Sequence, residues 1–425
     1  MRTPSWRRFA YAFAACSLIA AAAYAQEDPG KLFTYLQDLY NRHDKNLSEF
    51  LLGELNQYVT RFPEGEKAPE AQYLLAKIYQ EKGDKHKALA AFLKAMSLYP
   101  NADRRRESAN EARLIITTES AYKEKRTALL ATLETPPAGE NPADRYYHYV
   151  NRVMALGNND VANLILDDAR KFLIQFAEDT RQDSVLLAIA EVYAIKGDKR
   201  ETEASYLRLE YCFPESPLLP YARFSRGVIL SKELGDHKRA IEVLSEVTAK
   251  HPQSEYVATA QLKIAEIKRE KLKDYAGAVA DYRKFIESKA DSAKAVEALW
   301  AIAEINANNL KDYNGAIHAY NEIVEKYPAN KRAANAMEKV GDIYKDKLAD
   351  YGKAVEQYAK IAEVFPDYEK APDLLLKAGS VCEDKLKDDR RAAEYYRILF
   401  EKFPKHKSAD EAKRRIEKAQ KKSGE

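Results

Sequence analysis

The sequence predicts an all-α fold in which about ten helical hairpins stack on one another and a last helix caps the C-terminal end. Three observations carry this reading. A turn recurs as Gly83-Asp84, Gly197-Asp198, Gly235-Asp236, Lys273-Asp274, Lys311-Asp312, Ala349-Asp350 and Lys387-Asp388, with a step of 38 residues from Asp198 onward. Two columns of small residues run in phase with that turn. The 15 glycines and 16 prolines sit mainly between apolar-periodic segments, the distribution of helices joined by short turns rather than of a many-turned β protein. A chain with such a period grows by addition of units, so its 425 residues are not read as several separate globular domains.

Taken in order, residues 1–25 form a distinct segment. Arg2, Arg7 and Arg8 give a positive start, residues 9–25 carry no charge, and Ala23-Tyr24-Ala25 precedes Gln26-Glu27-Asp28. This is the layout of a signal peptide cleaved after Ala25. An uncleaved anchor and lipidation at Cys16 are the alternatives; the apolar run falls short of the roughly 20 residues that span a bilayer. Residues 26–425 are one repeat domain, whose hairpins begin near Lys31.

The repeats are clear over 68–100 and 180–404. One small column is Ala76, Ala190, Gly227, Ala265, Ala303, Gly341 and Gly379; the other is Ala88, Thr202, Ala240, Ala278, Ala316, Ala354 and Ala392. A small residue on each helix lets two backbones approach as a hairpin. One helical turn beyond the second column stand Phe92, Tyr206, Leu244, Tyr282, Tyr320, Tyr358 and Tyr396. These large side chains are expected to fill the space between successive hairpins. Pro100, Pro214, Pro252, Pro328, Pro366 and Pro404 close the second helices, with Ala290 in the one missing slot and Pro63 a residue off the grid. Asp or Asn near each helix start can cap exposed N–H groups.

Residues 101–179 keep the period, and Asp160 falls on the grid, but the small columns fade and Thr135-Pro136-Pro137-Ala138-Gly139 lengthens a loop. Such a degenerate middle is a hinge, or a pair of hairpins packed by other residues. Residues 405–425 form a polar capping helix from about Ser408 and a basic tail, with nine Lys/Arg against four Asp/Glu from Lys402 onward.

Leu75-Ala76, Tyr79, Ala88, Phe92, Ala95 and Pro100 stand at the spacing of the tetratricopeptide repeat family, which the chain resembles. The last five units carry one extra turn residue, as in Lys311-Asp312-Tyr313-Asn314-Gly315-Ala316. That form looks like the repeats of periplasmic outer-membrane assembly lipoproteins and of the Tol-Pal coordinator protein. The resemblance implies a right-handed superhelix whose first helices line a concave face, with the residue three before the first small column pointing into it. Those positions are Tyr73, Leu187, Phe224, Leu262, Trp300, Glu338 and Leu376, with Tyr149 as the nearest equivalent in the degenerate unit. The aromatic members Tyr73, Tyr149, Phe224 and Trp300, with Tyr146 from the dense aromatic stretch Tyr146-Tyr147-His148-Tyr149, are the candidate partner-binding residues. The alternative is that these rings pack against the next first helix.

Chemistry is not indicated. No nucleotide-binding glycine loop, His-Glu-x-x-His, Gly-x-Ser-x-Gly or Cys-x-x-Cys occurs. His237 and His251 flank one helix, about 20 Å apart by helical rise. Cys212 and Cys382 lie 170 residues apart, too far along a stack to bridge, and are expected as buried, inert thiols. Removing the signal takes three arginines and no acid, leaving 66 basic and 66 acidic residues. That balance gives no bulk attraction to nucleic acid or anionic membrane. The expectation is a periplasmic or secreted scaffold or adaptor binding a peptide or another cell-envelope protein, without enzymatic activity, cofactor, metal or membrane span. A module that binds peptidoglycan or polysaccharide through exposed aromatic residues is the alternative.

Overall fold

The computed structural model describes residues 28–42, 45–134, 141–288 and 292–423. The signal segment, Cys16, the Thr135–Gly139 stretch and Ala290 lie outside the described residues. Within them there is no strand, and twenty-one α-helices form ten hairpins and one further helix. The chain divides into two compact units at Leu219.

Unit 1 holds five hairpins: α1 Pro29–Asn41 with α2 Ser48–Arg61, α3 Ala68–Glu81 with α4 Lys85–Leu98, α5 Arg104–Thr118 with α6 Arg126–Glu134, α7 Pro142–Met154 with α8 Ala162–Gln175, and α9 Gln182–Lys196 with α10 Lys199–Cys212. Unit 2 holds α11 Leu219–Lys232 with α12 His237–Lys250, α13 Tyr256–Ile267 with α14 Tyr275–Glu287, α15 Ser292–Glu304 with α16 Tyr313–Lys326, α17 Arg332–Asp346 with α18 Tyr351–Val364, and α19 Ala371–Val381 with α20 Asp389–Lys402. It ends with α21 Ser408–Ser423.

The turn inside each hairpin explains the extra residue of the later repeats. In the short form, Gly83 and Gly197 adopt left-handed backbone (φ 82° and 78°), and the next N–H bonds a carbonyl five residues back, Asp84 to Tyr79 and Asp198 to Tyr193. In the long form the first helix ends in a wider turn, a π-helical one over Lys268–Leu272, Ile305–Leu310 and Cys382–Leu386. The Asp N–H then reaches six residues back, as from Asp274 to Lys268 and from Asp388 to Cys382. The left-handed position falls on Gly235, Lys273, Lys311, Ala349 and Lys387. The following Asp accepts a capping bond from the second helix, for example Asp274 from the Gly277 N–H at 2.9 Å.

The small columns are where the helices touch. Ala76, Ala190, Ala265 and Ala303 are wholly buried, as are Ala88, Ala240, Ala278, Ala316 and Ala354. The large column packs tightly across its own hairpin and also meets the next one, where Lys377 lies 4.5 Å from the Tyr358 centroid. A Cβ placed on Gly341 would stand 2.5 Å from Tyr358, and one on Gly227 2.6 Å from Leu244; Gly379 faces Tyr396 still more tightly. The ring lies across the small residue of the partner helix because both columns share the hairpin seam.

Apolar clusters run across neighbouring hairpins, from Ala265 to Ile343 and from Met337 to Ala412, and polar side chains about one repeat apart join them as well. Glu70 takes both arms of Arg104 (2.6 and 2.9 Å), Asp342 accepts from Lys377 at 2.6 Å, and Arg269 donates to Glu304 at 3.2 Å. The capping helix α21 buries Ala409 and Ala412 against hairpin ten, and Arg415 of the basic tail donates to Glu383 at 2.9 Å. Part of that tail is therefore engaged rather than solvated.

The degenerate middle is packed by different residues. The nine-residue α6 is short, and α7 lies directly against α4 of the second hairpin. Arg145 donates to the Leu98 carbonyl at 2.9 Å and Arg152 to Ser97 Oγ at 2.9 Å. At the centre, buried Asp168 accepts from Lys94 at 2.7 Å, Tyr149 at 2.8 Å and Tyr146 at 3.0 Å. Burial pushes the Asp168 carboxyl up, but Lys94 and Lys171 outweigh it and hold it below the ordinary value. Asp160, though on the grid, caps no helix: it sits in a 3-10 turn whose cap is Asn158.

Candidate partner-binding surface

The positions three residues before the first small column form a consistent set. Tyr73, Leu187, Phe224, Leu262, Trp300, Glu338 and Leu376 are all half-buried on first helices. Each ring packs inward on its own hairpin and sideways on the next. Tyr73 lies 5.7 Å from Phe92, with the Arg104 guanidinium 4.9 Å from its centroid. Phe224 lies 5.6 Å from Tyr256. Trp300 meets Tyr320 edge-on at 5.1 Å, carries Arg332 at 5.6 Å over its ring, and donates its indole N–H to Glu304 at 2.9 Å. Glu338 replaces the ring in hairpin nine and accepts from Tyr368 at 2.6 Å and Lys370 at 3.1 Å. Packing against the next first helix thus accounts for one side of each residue, and the other side remains at the surface.

Two expected members of the set do not share this placement. Tyr146 and Tyr149 are 8% and 2% exposed, and both hydroxyls donate to Asp168. Their rings are core of the α4–α7 junction because α7 has moved onto α4, so they offer no surface to a partner. Tyr147, between them in sequence, is half-buried under the Arg181 guanidinium at 4.8 Å. The arginines over these rings are functional candidates that the residue spacing did not single out, although Arg104 and Arg332 each open the first helix of the following hairpin. Cys382 is buried as expected, whereas Cys212 is exposed because it ends α10 on the outward side; both are free thiols.

A groove of about 760 Å³ opens in unit 1, lined by Phe33, Gln37, Tyr99, Asn101, Arg104 and Arg145 among others. Its charges are mostly paired internally, Arg104 with Glu70 and Lys67 with Glu66. Among the described residues no cluster of three or more His, Cys, Asp or Glu could hold a metal ion, and no helix is long and apolar enough to cross a membrane.

Helical hairpins on a fixed period, closed by a small residue against a large one, define an α-solenoid of tetratricopeptide repeats. The sequence comparisons agree: residues 69–102 and 373–406 each match a tetratricopeptide repeat family. Residues 224–367 match YfiO, an outer membrane lipoprotein family, and four of the five extra-residue turns, Gly235 to Ala349, fall within that likeness. No curated protein matches the chain. Among solved structures, a tetratricopeptide repeat protein from Parabacteroides merdae is 15% identical, covering 65% of this chain and 96% of its own, with a TM-score of 0.33. Yeast Tom70 is 14% identical over 93% of this chain and 97% of its own, with a TM-score of 0.30.

Proposed function

We propose that this chain is a non-enzymatic scaffold of the cell envelope that binds an extended peptide or a helix of another envelope protein along its first helices. The observation that carries the reading is the row from Tyr73 to Leu376: a position the fold half-buries in every clear repeat, occupied by rings and leucines except for Glu338 in hairpin nine. Aromatic residues at such positions are the usual anchors of protein interfaces, and apolar anchors recurring once per hairpin suit an extended or helical partner. The likeness to an outer membrane lipoprotein family over 224–367 supports the location.

The test is photo-crosslinking in the native envelope, with the photoreactive residue at Phe224 or Trp300 and, as a control, at exposed Lys360 on second helix α18. Discrete protein adducts from the row and none from Lys360 are expected. Identical adducts from all three sites, or none from the row, would refute the reading. A second reading, a glycan in the unit 1 groove, draws on Tyr99 standing beside Gln37, Asn101 and Asp103. Peptidoglycan fragments that bind the chain and lose affinity on Tyr99→Ala, with no protein adducts from the row, would favour it.

A further inference from the structure

We propose that Arg332, resting on the Trp300 ring, is the charged anchor of the partner surface in unit 2, and that the partner presents a carboxylate side chain next to an apolar one. This rests on the partner-binding reading above and adds the chemistry of the partner.

Three arginines lie over rings on or beside the row, and two are already saturated. Arg104, over Tyr73, pairs with Glu70 and Glu107; Arg181, over Tyr147, pairs with Asp144 at 2.7 Å and Asp179 at 2.6 Å. Arg332 is placed in the same way, 5.6 Å from the Trp300 centroid, yet no carboxylate among the described residues lies within ion-pairing distance of it. Its backbone N–H is held by Asn330 at 2.9 Å, which fixes the start of α17 and so the base of the side chain.

The neighbouring acids are otherwise engaged or remote. Glu304 accepts from the indole N–H through one oxygen and from Arg269 through the other. Glu338, further along α17, is taken by Tyr368 and Lys370. Glu297, one turn before Trp300, is exposed and unpaired with Arg332. The adjacent Lys331 is exposed and adds to the local positive field.

A guanidinium stacked on a ring keeps its N–H edge free, and that edge matches the two oxygens of a carboxylate. The indole beside it supplies a flat apolar wall for the residue next to the acid. A cationic partner would be repelled, and a purely apolar one would leave Arg332 covered and without an acceptor.

The experiment uses the full chain and three labelled, end-blocked hexapeptides, (Leu-Glu)3, (Leu-Gln)3 and (Leu-Lys)3, followed by fluorescence anisotropy. Saturable binding is expected of the Glu peptide, with the Gln and Lys peptides weaker by about tenfold or more. Arg332→Gln should weaken the Glu peptide by about tenfold while Lys331→Gln changes it less than about twofold. Arg332→Lys should recover only part, because an ammonium cannot present the fork. Circular dichroism should be unaltered in Arg332→Gln, whose native side chain has no carboxylate partner among the described residues. Equal binding of the Glu and Gln peptides, undiminished binding by Arg332→Gln, or no saturable binding of the Glu peptide would each overturn the proposal. If the Trp300 crosslinks of the scaffold test survive Arg332→Gln, the scaffold reading stands and this one falls.

Discussion

Replacing Gly341 by alanine tests the hairpin seam most directly, because local and tertiary effects then act in opposite directions. In a helix interior alanine is favoured over glycine by about 1 kcal/mol, so on an open face the change would stabilise α17. The new Cβ would instead stand 2.5 Å from Cε1 and 2.8 Å from Cδ1 of Tyr358. That ring cannot yield: it is 0% exposed, its hydroxyl donates to Asp342 at 2.7 Å, and the Lys377 ammonium lies 4.5 Å from its centroid. Reaching an ordinary carbon contact of about 3.5 Å requires the helices to part by about 1 Å. Overpacking of this kind costs about 1–3 kcal/mol. With a tethered ring the upper half of that range applies, and after the propensity gain the net loss is about 1–2 kcal/mol. A repeat array opens hairpin by hairpin, so hydrogen exchange across 332–364 is the appropriate assay. Gly53→Ala is the control: it lies inside α2 with nothing within 4 Å of the added Cβ, and should gain about 0.5–1 kcal/mol. In a Tyr358→Ala background the Gly341→Ala change should likewise turn favourable. A Gly341→Ala protein protected as well as the parent, or a loss undiminished without the ring, would refute the reasoning.

Three further outcomes are expected. Asp168→Ala strips the acceptor from Lys94, Tyr146 and Tyr149 together and should cost about 3–5 kcal/mol, read as faster exchange in α4 and α7. Ala349→Gly should stabilise hairpin nine by up to about 1 kcal/mol, because Ala349 is held at φ 52°; Gly235→Ala, at φ 72°, should destabilise hairpin six by a similar amount. In unit 2, burial pushes Glu322 and Asp342 up, but Arg283 and Lys326, and Lys377 and Tyr358, hold the two carboxyls below their ordinary values. Folded values below unfolded ones mean that this stability is present above about pH 4 and is lost as pH falls through the depressed folded values. Lys377→Met should therefore flatten the acid limb of a pH-unfolding curve followed by circular dichroism, and an unchanged limb would contradict the assignment.

Much of the fold was legible because it rests on a repeated local event. A small residue opposite a large one, with a turn carrying one left-handed residue, leaves the same trace in the seven clear units, and the period carried through the rest gives the ten hairpins and last helix. Legibility failed where contact is not local. Nothing about Tyr358 alone says which groups its ring will meet; that depends on Gly341, seventeen positions earlier, and on Lys377 of the next hairpin, neither visible as a partner until the helices are paired. In 101–179 the period persisted while α7 moved onto α4, and Tyr146 and Tyr149 changed from surface candidates to ligands of a buried carboxylate. The signal for that shift was present: a lone acid at Asp168 on the apolar side of α8, facing a dense aromatic run. The arginines escaped notice because each acts on a ring in the preceding hairpin.

The same contrast bears on where specificity resides. Positions on the seam admit only alanine, glycine or one threonine, since the neighbouring helix leaves no volume, and such positions cannot carry recognition without breaking the stack. Three residues earlier on the same helix the chain uses Tyr, Leu, Phe, Leu, Trp, Glu and Leu in turn, at a place the fold covers on one side only. A freely varied position beside an invariant one is how a repeat scaffold can alter what it holds without altering how it folds. Within that row the electrostatic partners are unevenly spent: Arg104 and Arg181 are neutralised by their own chain, and Arg332 is not. If binding energy follows unsatisfied groups, as the cost of a partly desolvated charge requires, the partner's strongest single contact falls at hairpins eight and nine. Alanine substitutions along the row should then rank Trp300 above Tyr73 in lost affinity, although both rings are half-buried. The opposite order would place the anchor in unit 1.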